Sequence, residues 1–136
     1  MANALYDKGR EKFLRGEVSW NADDIKVVLV KTSAGYSVDL ANHEFLSSIN
    51  VGDRVATSAN LGTKTTTAGV ADAADVTFSA VEGDECGAAV IYKDTGDAAT
   101  SPLIAYIDTA TGLPATPNGG DITIEWDDGA NKIFKL

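Results

Sequence analysis

Three short apolar runs constrain this chain more than anything else in it: IKVVLVK at 25–31, AVIY at 89–92 and LIAYI at 103–107. A half-exposed strand alternates apolar and polar residues. These runs do not, and they are short and rich in β-branched residues, so they predict strands with both faces covered. Three such strands demand more than one covering layer. The chain offers an amphipathic first segment, the stretch 40–49 with Phe45 and Leu46, and a second sheet.

The first segment reads as a helix over 2–15. Asn3 is placed to cap it, Leu5, Tyr6, Gly9, Phe13 and Leu14 form one stripe, and Gly16 stops it. A stripe on an otherwise charged helix must lie on the domain's own sheet or on a neighbouring subunit. Residues 54–58, 64–67 and 75–81 read as two-sided strands, the last because Val76, Phe78 and Ala80 alternate with Thr77 and Ser79. Gly and Asp-Gly punctuation at short intervals predicts antiparallel connections and about seven or eight strands. Ile122, Ile124 and Trp126 point one way, Thr123 and Glu125 the other, and the turn 127–131 is expected to fold this strand back on Ile133 and Phe134 as a hairpin. The expected fold is mainly β, an antiparallel sandwich or barrel with an amphipathic N-terminal helix. It forms a single domain over 1–136, with the helix in 1–16 and the β domain in 25–136. The longest polar stretch, TATGLPATPNGG at 109–120, is a candidate contact loop or a solvated Ω-loop.

Eleven Lys and Arg against 20 Asp and Glu leave a net charge of −9, which repels a phosphate backbone and argues against nucleic acid as a partner. The positive charge gathers in Lys8, Arg10, Lys12 and Arg15 and in Lys132 and Lys135. These form a surface for an acidic partner or a solvated face. Cys86 is the single cysteine, so no disulfide framework or thiolate cluster is expected, consistent with assembly in a reducing cytoplasm. No apolar run approaches the roughly 20 residues of a membrane helix, and the start lacks the pattern of a classical export signal.

Chemistry-bearing patterns are sparse. His43 is the single histidine, and Cys86 lies in Glu82-Gly83-Asp84-Glu85, where neighbouring negative charge disfavours the thiolate that a Cys–His pair needs. Asp94 with Asp97, or Asp127 with Asp128, could hold calcium at a turn, but neither sits in a cation-binding loop motif, and turn formation is the plainer role. There is no phosphate-binding glycine loop. Trp20, Tyr36, Tyr92, Tyr106 and Trp126 are scattered, with packing as the default and sugar stacking as the alternative. No catalytic residue, cofactor or metal ligand is assigned.

The segment IDTATGLPATPNGGDIT at 107–123, followed by WDDGANKIFKL at 126–136, resembles a family of small structural proteins encoded in the virion-assembly regions of tailed bacteriophages. ANALYDKGREKFLRGEVSW, IKVVLV, HEFLSSIN, RVATS and GVADAADVTFSAV are similar to that family in the same order, so the resemblance spans nearly the whole chain. It implies a non-enzymatic virion component whose partners are capsid or other virion proteins. Economy favours a capsid decoration or cement protein; a neck, tail-tube or tail-tip component is the first alternative, and a module binding host glycans through Trp20 or Trp126 the second. The expected assembly is a small cyclic oligomer, a trimer first, joined through strand faces such as Val28 and Val30 or Ile91 and Ile104. The shell contact then falls to the helix (Tyr6, Lys8, Arg10, Lys12, Phe13) or to the loop (Leu113, Pro114, Pro117, Asn118).

Overall fold

The structure is a computed structural model and describes residues 3–130 and 132–136. Ala2, where the expected helix begins, and Asn131, in the expected 127–131 turn, lie outside the described residues. In chain order the elements are β1 (Ala4–Leu5), α1 (Asp7–Leu14), β2 (Ile25–Val30), β3 (Arg54–Thr57), β4 (Val70–Ala71), β5 (Val76–Phe78), β6 (Ala88–Lys93), β7 (Leu103–Ile107), β8 (Ile122–Ile124) and β9 (Phe134–Lys135).

The three apolar runs become β2, β6 and β7, neighbours in a five-stranded antiparallel sheet of order β1-β7-β6-β2-β3. Both faces are covered, as their composition predicts. Val27, Leu29, Ala89 and Ile91 meet Trp20, Phe78, Ile124 and Trp126 on one face. Val28, Val30 and Val90 meet Tyr6, Tyr36, Leu46 and Ile49 on the other. Each fully buried Val, Leu or Ile stabilises by about 1.5–3 kcal/mol relative to exposure, so these central strands hold most of the apolar driving force. The first face is roofed by two small antiparallel sheets, β4–β9 and β5–β8, and the second by the segment 36–49. The large sheet stays open with β1 and β3 at its edges, so the barrel alternative is excluded.

Several expectations are corrected. Helix α1 starts at Asp7, because residues 4–5 pair with β7 instead, Ala4 with Tyr106 and Leu5 with Ala105. Asn3 is not the cap. Its side chain accepts from the N–H groups of Asp108 and Thr109, both at 2.9 Å, and ties the chain's start to the end of β7. At the other end Gly16 acts as expected: its φ of 73° lets its N–H reach Phe13 O at 3.1 Å while Glu17 N–H reaches Lys12 O at 2.9 Å, a Schellman closure. Residues 64–67 form no strand. Positive φ at Thr63 (50°) and Ala68 (57°) bends the chain on either side, leaving a single bridge from Thr65 to Asp72.

The expected C-terminal hairpin does not form. The alternation is as read, with Ile124 and Trp126 buried and Thr123 and Glu125 exposed. But β8 pairs with β5, where Val76, Thr77 and Phe78 match its alternation and the Thr77 and Thr123 hydroxyls meet at 3.0 Å. Strand β9 crosses instead to β4, pairing Val70 with Lys135. The strand faces expected to join subunits are also unavailable, since Val28, Val30, Ile91 and Ile104 are all 0% exposed within one chain.

Candidate contact surface

Helix α1 lies directly on β7. Gly9 is the point of closest approach: a Cβ there would stand 2.6 Å from Leu103 O and 3.1 Å from Ile104 Cα. One helical turn further, Phe13 turns to the C-terminal strand, its ring 6.0 Å from that of Phe134, which in turn meets Trp20 edge-on at 5.3 Å. Leu14, the next residue, has no room in this packing and is 89% exposed. Leu136, following β9, is 62% exposed.

Between them runs a trough with walls from Leu5, Arg10, Phe13 and Leu14 on one side and Lys135 and Leu136 on the other, of about 370 Å³. Two smaller depressions adjoin it. One, of about 190 Å³, is lined by Phe13, Trp20, Phe134 and Leu136; the other, of about 260 Å³, separates Ala4 and Leu5 from Ile133, Phe134 and Lys135. The lining is apolar and the two charged side chains in the wall, Arg10 and Lys135, are both cationic. In a chain of net charge −9 that makes the trough a local exception.

The five expected helix contacts separate. Arg10 and Phe13 line the trough. Tyr6 does not reach the surface; it is fully buried on the far face of the sheet, its hydroxyl 2.7 Å from that of Tyr36, and burial pushes its phenol far above the usual range. Lys12 turns aside to Glu44 at 3.2 Å and Glu17 at 3.3 Å with its ammonium over the Phe45 ring. Its hydrogen bond to Glu44, ahead of that to Glu17, holds its pKa above the ordinary lysine value. Lys8 pairs with Glu11 at 3.3 Å, and Arg10 with Asp7 at 3.3 Å through well-exposed side chains, an arrangement worth little in water. The N-terminal cations are therefore not a free basic patch.

The 109–120 loop is strapped down. Cys86 and Ala115 exchange backbone hydrogen bonds at 2.8 and 2.9 Å, and Glu125 N–H reaches Thr111 O at 3.0 Å. Leu113 packs against the core, Asn118 accepts from Gly120 N–H at 2.9 Å, Pro117 is half-buried and Pro114 is exposed after a cis peptide bond. None of these four residues lines the trough.

Other candidates are placed as follows. The large sheet separates His43 from Cys86: His43 Nδ1 bonds the Tyr36 hydroxyl at 2.8 Å on one face, while Cys86 is buried in the cluster on the other. Burial, then Glu85 and Asp84, push the thiol up to about 11. Asp94 is engaged by Lys26 Nζ at 2.7 Å and Gly96 N–H at 2.9 Å, and Asp97 and Asp127 accept from Ala99 and Gly129 N–H. Among the described residues no group of three or more His, Cys, Asp or Glu is placed to hold a metal ion. Trp20 and Trp126 are buried and donate to the carbonyls of Asp72 and Ala74, both at 3.1 Å, so neither ring is free to stack on a sugar. No helix among the described residues is long and apolar enough to cross a membrane.

Sequence reasoning missed that Leu14 and Leu136 both line the trough. A partial signal was present in the phase of the helix: Phe13 and Leu14 stand about 100° apart, so turning one fully inward leaves the other at the edge of the stripe. No protein-family model matches the chain, and no curated protein matches it either.

Proposed function

We propose that the protein is a non-enzymatic structural component of a tailed-phage virion, and within that class a capsid decoration or cement protein that binds and stabilises the head shell. The observation that carries this reading is the trough: of the three large exposed apolar side chains among the described residues, Leu14 and Leu136 line its two walls, while Val51 lies elsewhere. Contiguous exposed apolar surface marks an interaction site more often than chance. The order of segments that resembles the phage family supports the same reading. In this reading the scaffold, a β-sandwich, serves as the staple, and many weak contacts from a ring of copies, a trimer first, hold a shell by multivalency.

Reconstruction of intact particles by cryo-EM, with copy number from quantitative mass spectrometry, tests the proposal. Hundreds of copies on symmetric head sites are expected. A few copies at the neck or tail would transfer the protein to the connector or tail class, and absence from the particle would reject both.

A further inference from the structure

The trough borders an open sheet edge. Tyr6 N–H bonds Ile104 O at 3.0 Å, and the register continues with Leu5 opposite Ala105 and Ala4 opposite Tyr106. In an antiparallel ladder hydrogen-bonded and non-bonded pairs alternate, so Tyr6 and Ala4 face β7 with their amides while the Leu5 N–H and C=O point the other way. Beside this edge lies the slot between β1 and β9, to which Leu5 contributes along with Ala105 and Ile107 of β7 and Phe134 and Lys135 of β9. An unpaired strand edge is a template for an incoming strand.

We infer that the trough is a strand-accepting site for an extended segment of the shell protein, a segment that alternates large apolar residues with polar ones and carries a carboxylate. The inference rests on the decoration reading and names the partner's chemistry. The incoming strand lies about 4.8 Å from β1 and takes its hydrogen bonds from Leu5. Side chains on its inner face lie along Leu14, Phe134 and Leu136, and its carboxylate meets Lys135, Arg10 beside it being already paired with Asp7. Charge selects this occupant over a second copy docked by the same face, because a symmetric pairing would bring the Lys135 ammonium of one copy toward the cationic wall of the other, where Arg10 is neutralised only by its own Asp7. A carboxylate-bearing segment meets complementary charge instead.

The experiment uses purified shells lacking this protein, the full-length chain, and amide hydrogen exchange in the bound state. Binding of the wild type should slow exchange at the Leu5 amide. Leu14→Asp and Leu136→Asp should each weaken binding at least about tenfold, because each sets a charge against an apolar strand face, and Lys135→Glu should weaken it in a salt-dependent way. Val51→Ser removes an exposed apolar group outside the trough and should bind as wild type; circular dichroism checks that every variant is folded. Wild-type binding with an unprotected Leu5 amide, or with full affinity in the trough variants, overturns the strand-accepting site and leaves the decoration reading standing. A wild type that does not bind shells removes the decoration reading, and this inference falls with it.

Discussion

Gly9→Ala tests the packing of α1, because two well-characterised effects oppose each other at this position. In a solvent-facing helix the change stabilises by about 1 kcal/mol, the propensity difference between Gly and Ala. Here the new methyl would stand 2.6 Å from Leu103 O, whereas a carbon rests on a carbonyl oxygen at about 3.3 Å, so the helix must lift by roughly 0.7 Å. Backbone fills the space on the β7 side, and no flexible side chain can yield. Lifting opens a gap under Phe13 and strains the Tyr6 junction, and a gap of that size forfeits a quarter to a half of each dispersion contact. Overpacking of this kind costs about 1–3 kcal/mol. Against the propensity gain, the net expectation is a destabilisation of about 0–2 kcal/mol, up to several degrees in Tm for a domain of this length. Urea unfolding followed by fluorescence of the buried Trp20 and Trp126 reads it, with Arg10→Ala as an exposed helix control expected within about 0.5 kcal/mol of wild type. A Gly9→Ala protein more stable than wild type, with the full propensity gain of about 1 kcal/mol, would refute the close approach of α1 to β7.

Asp39 N–H donates to His43 Nδ1 at 3.3 Å, so the Tyr36 hydroxyl donates to the same nitrogen and accepts from Tyr6; Tyr36→Phe strands the buried Tyr6 hydroxyl. It should cost about 1–3 kcal/mol in urea unfolding, and adding Tyr6→Phe should restore part of the loss. The Lys26 ammonium, then Gly96 N–H, hold Asp94 below the ordinary carboxylate range. Its stabilising contribution is therefore full above the unfolded value of about 3.9 and is lost as pH falls through the lower folded value, so Asp94→Asn should be less stable at pH 7 but converge on wild type in strong acid. With its thiol buried and pushed up to about 11, Cys86 should resist an aromatic disulfide reagent at pH 8 until the protein is unfolded in urea; prompt native labelling would contradict its placement.

What could be read from the chain followed from local pattern. Non-alternating β-branched runs can satisfy themselves only as strands covered twice, so β2, β6 and β7 were legible with nearly their observed limits. Gly16 was legible as a stop because few other residues take its φ so cheaply. What failed was pairing. The chain from Ile122 to Phe134 carries every local sign of a hairpin, yet β8 finds its partner 44 to 48 residues earlier and β9 63 to 65 residues earlier, a choice set by the fit of Thr77 against Thr123 and of Ala71 against Phe134 that periodicity does not encode. The first helix was shortened for the same reason: an open edge on β7 competes for residues 4–5, and the strand pairing outcompetes another half turn of helix. Of the residues expected to make contacts, Arg10 and Phe13 line the trough, whereas Lys12 and Tyr6 are drawn inward by partners distant in sequence, Glu44 and Tyr36.

The amphipathic stripe of the first segment therefore serves two purposes. Tyr6 and Gly9 are consumed by the fold, one crossing to the far face of the sheet and the other admitting the helix to β7. Phe13 is shared between core and trough, and Leu14 is left wholly outside. A sequence selected for stability alone would place a polar residue at a position 89% exposed, since an apolar side chain there contributes almost nothing to folding and promotes association. The same holds for Leu136, and the two leucines reach the same trough from opposite ends of the chain. Under the proposed function these two exposed leucines are covered together by one partner, which is why Leu14→Asp and Leu136→Asp are expected to act on binding and not on folding.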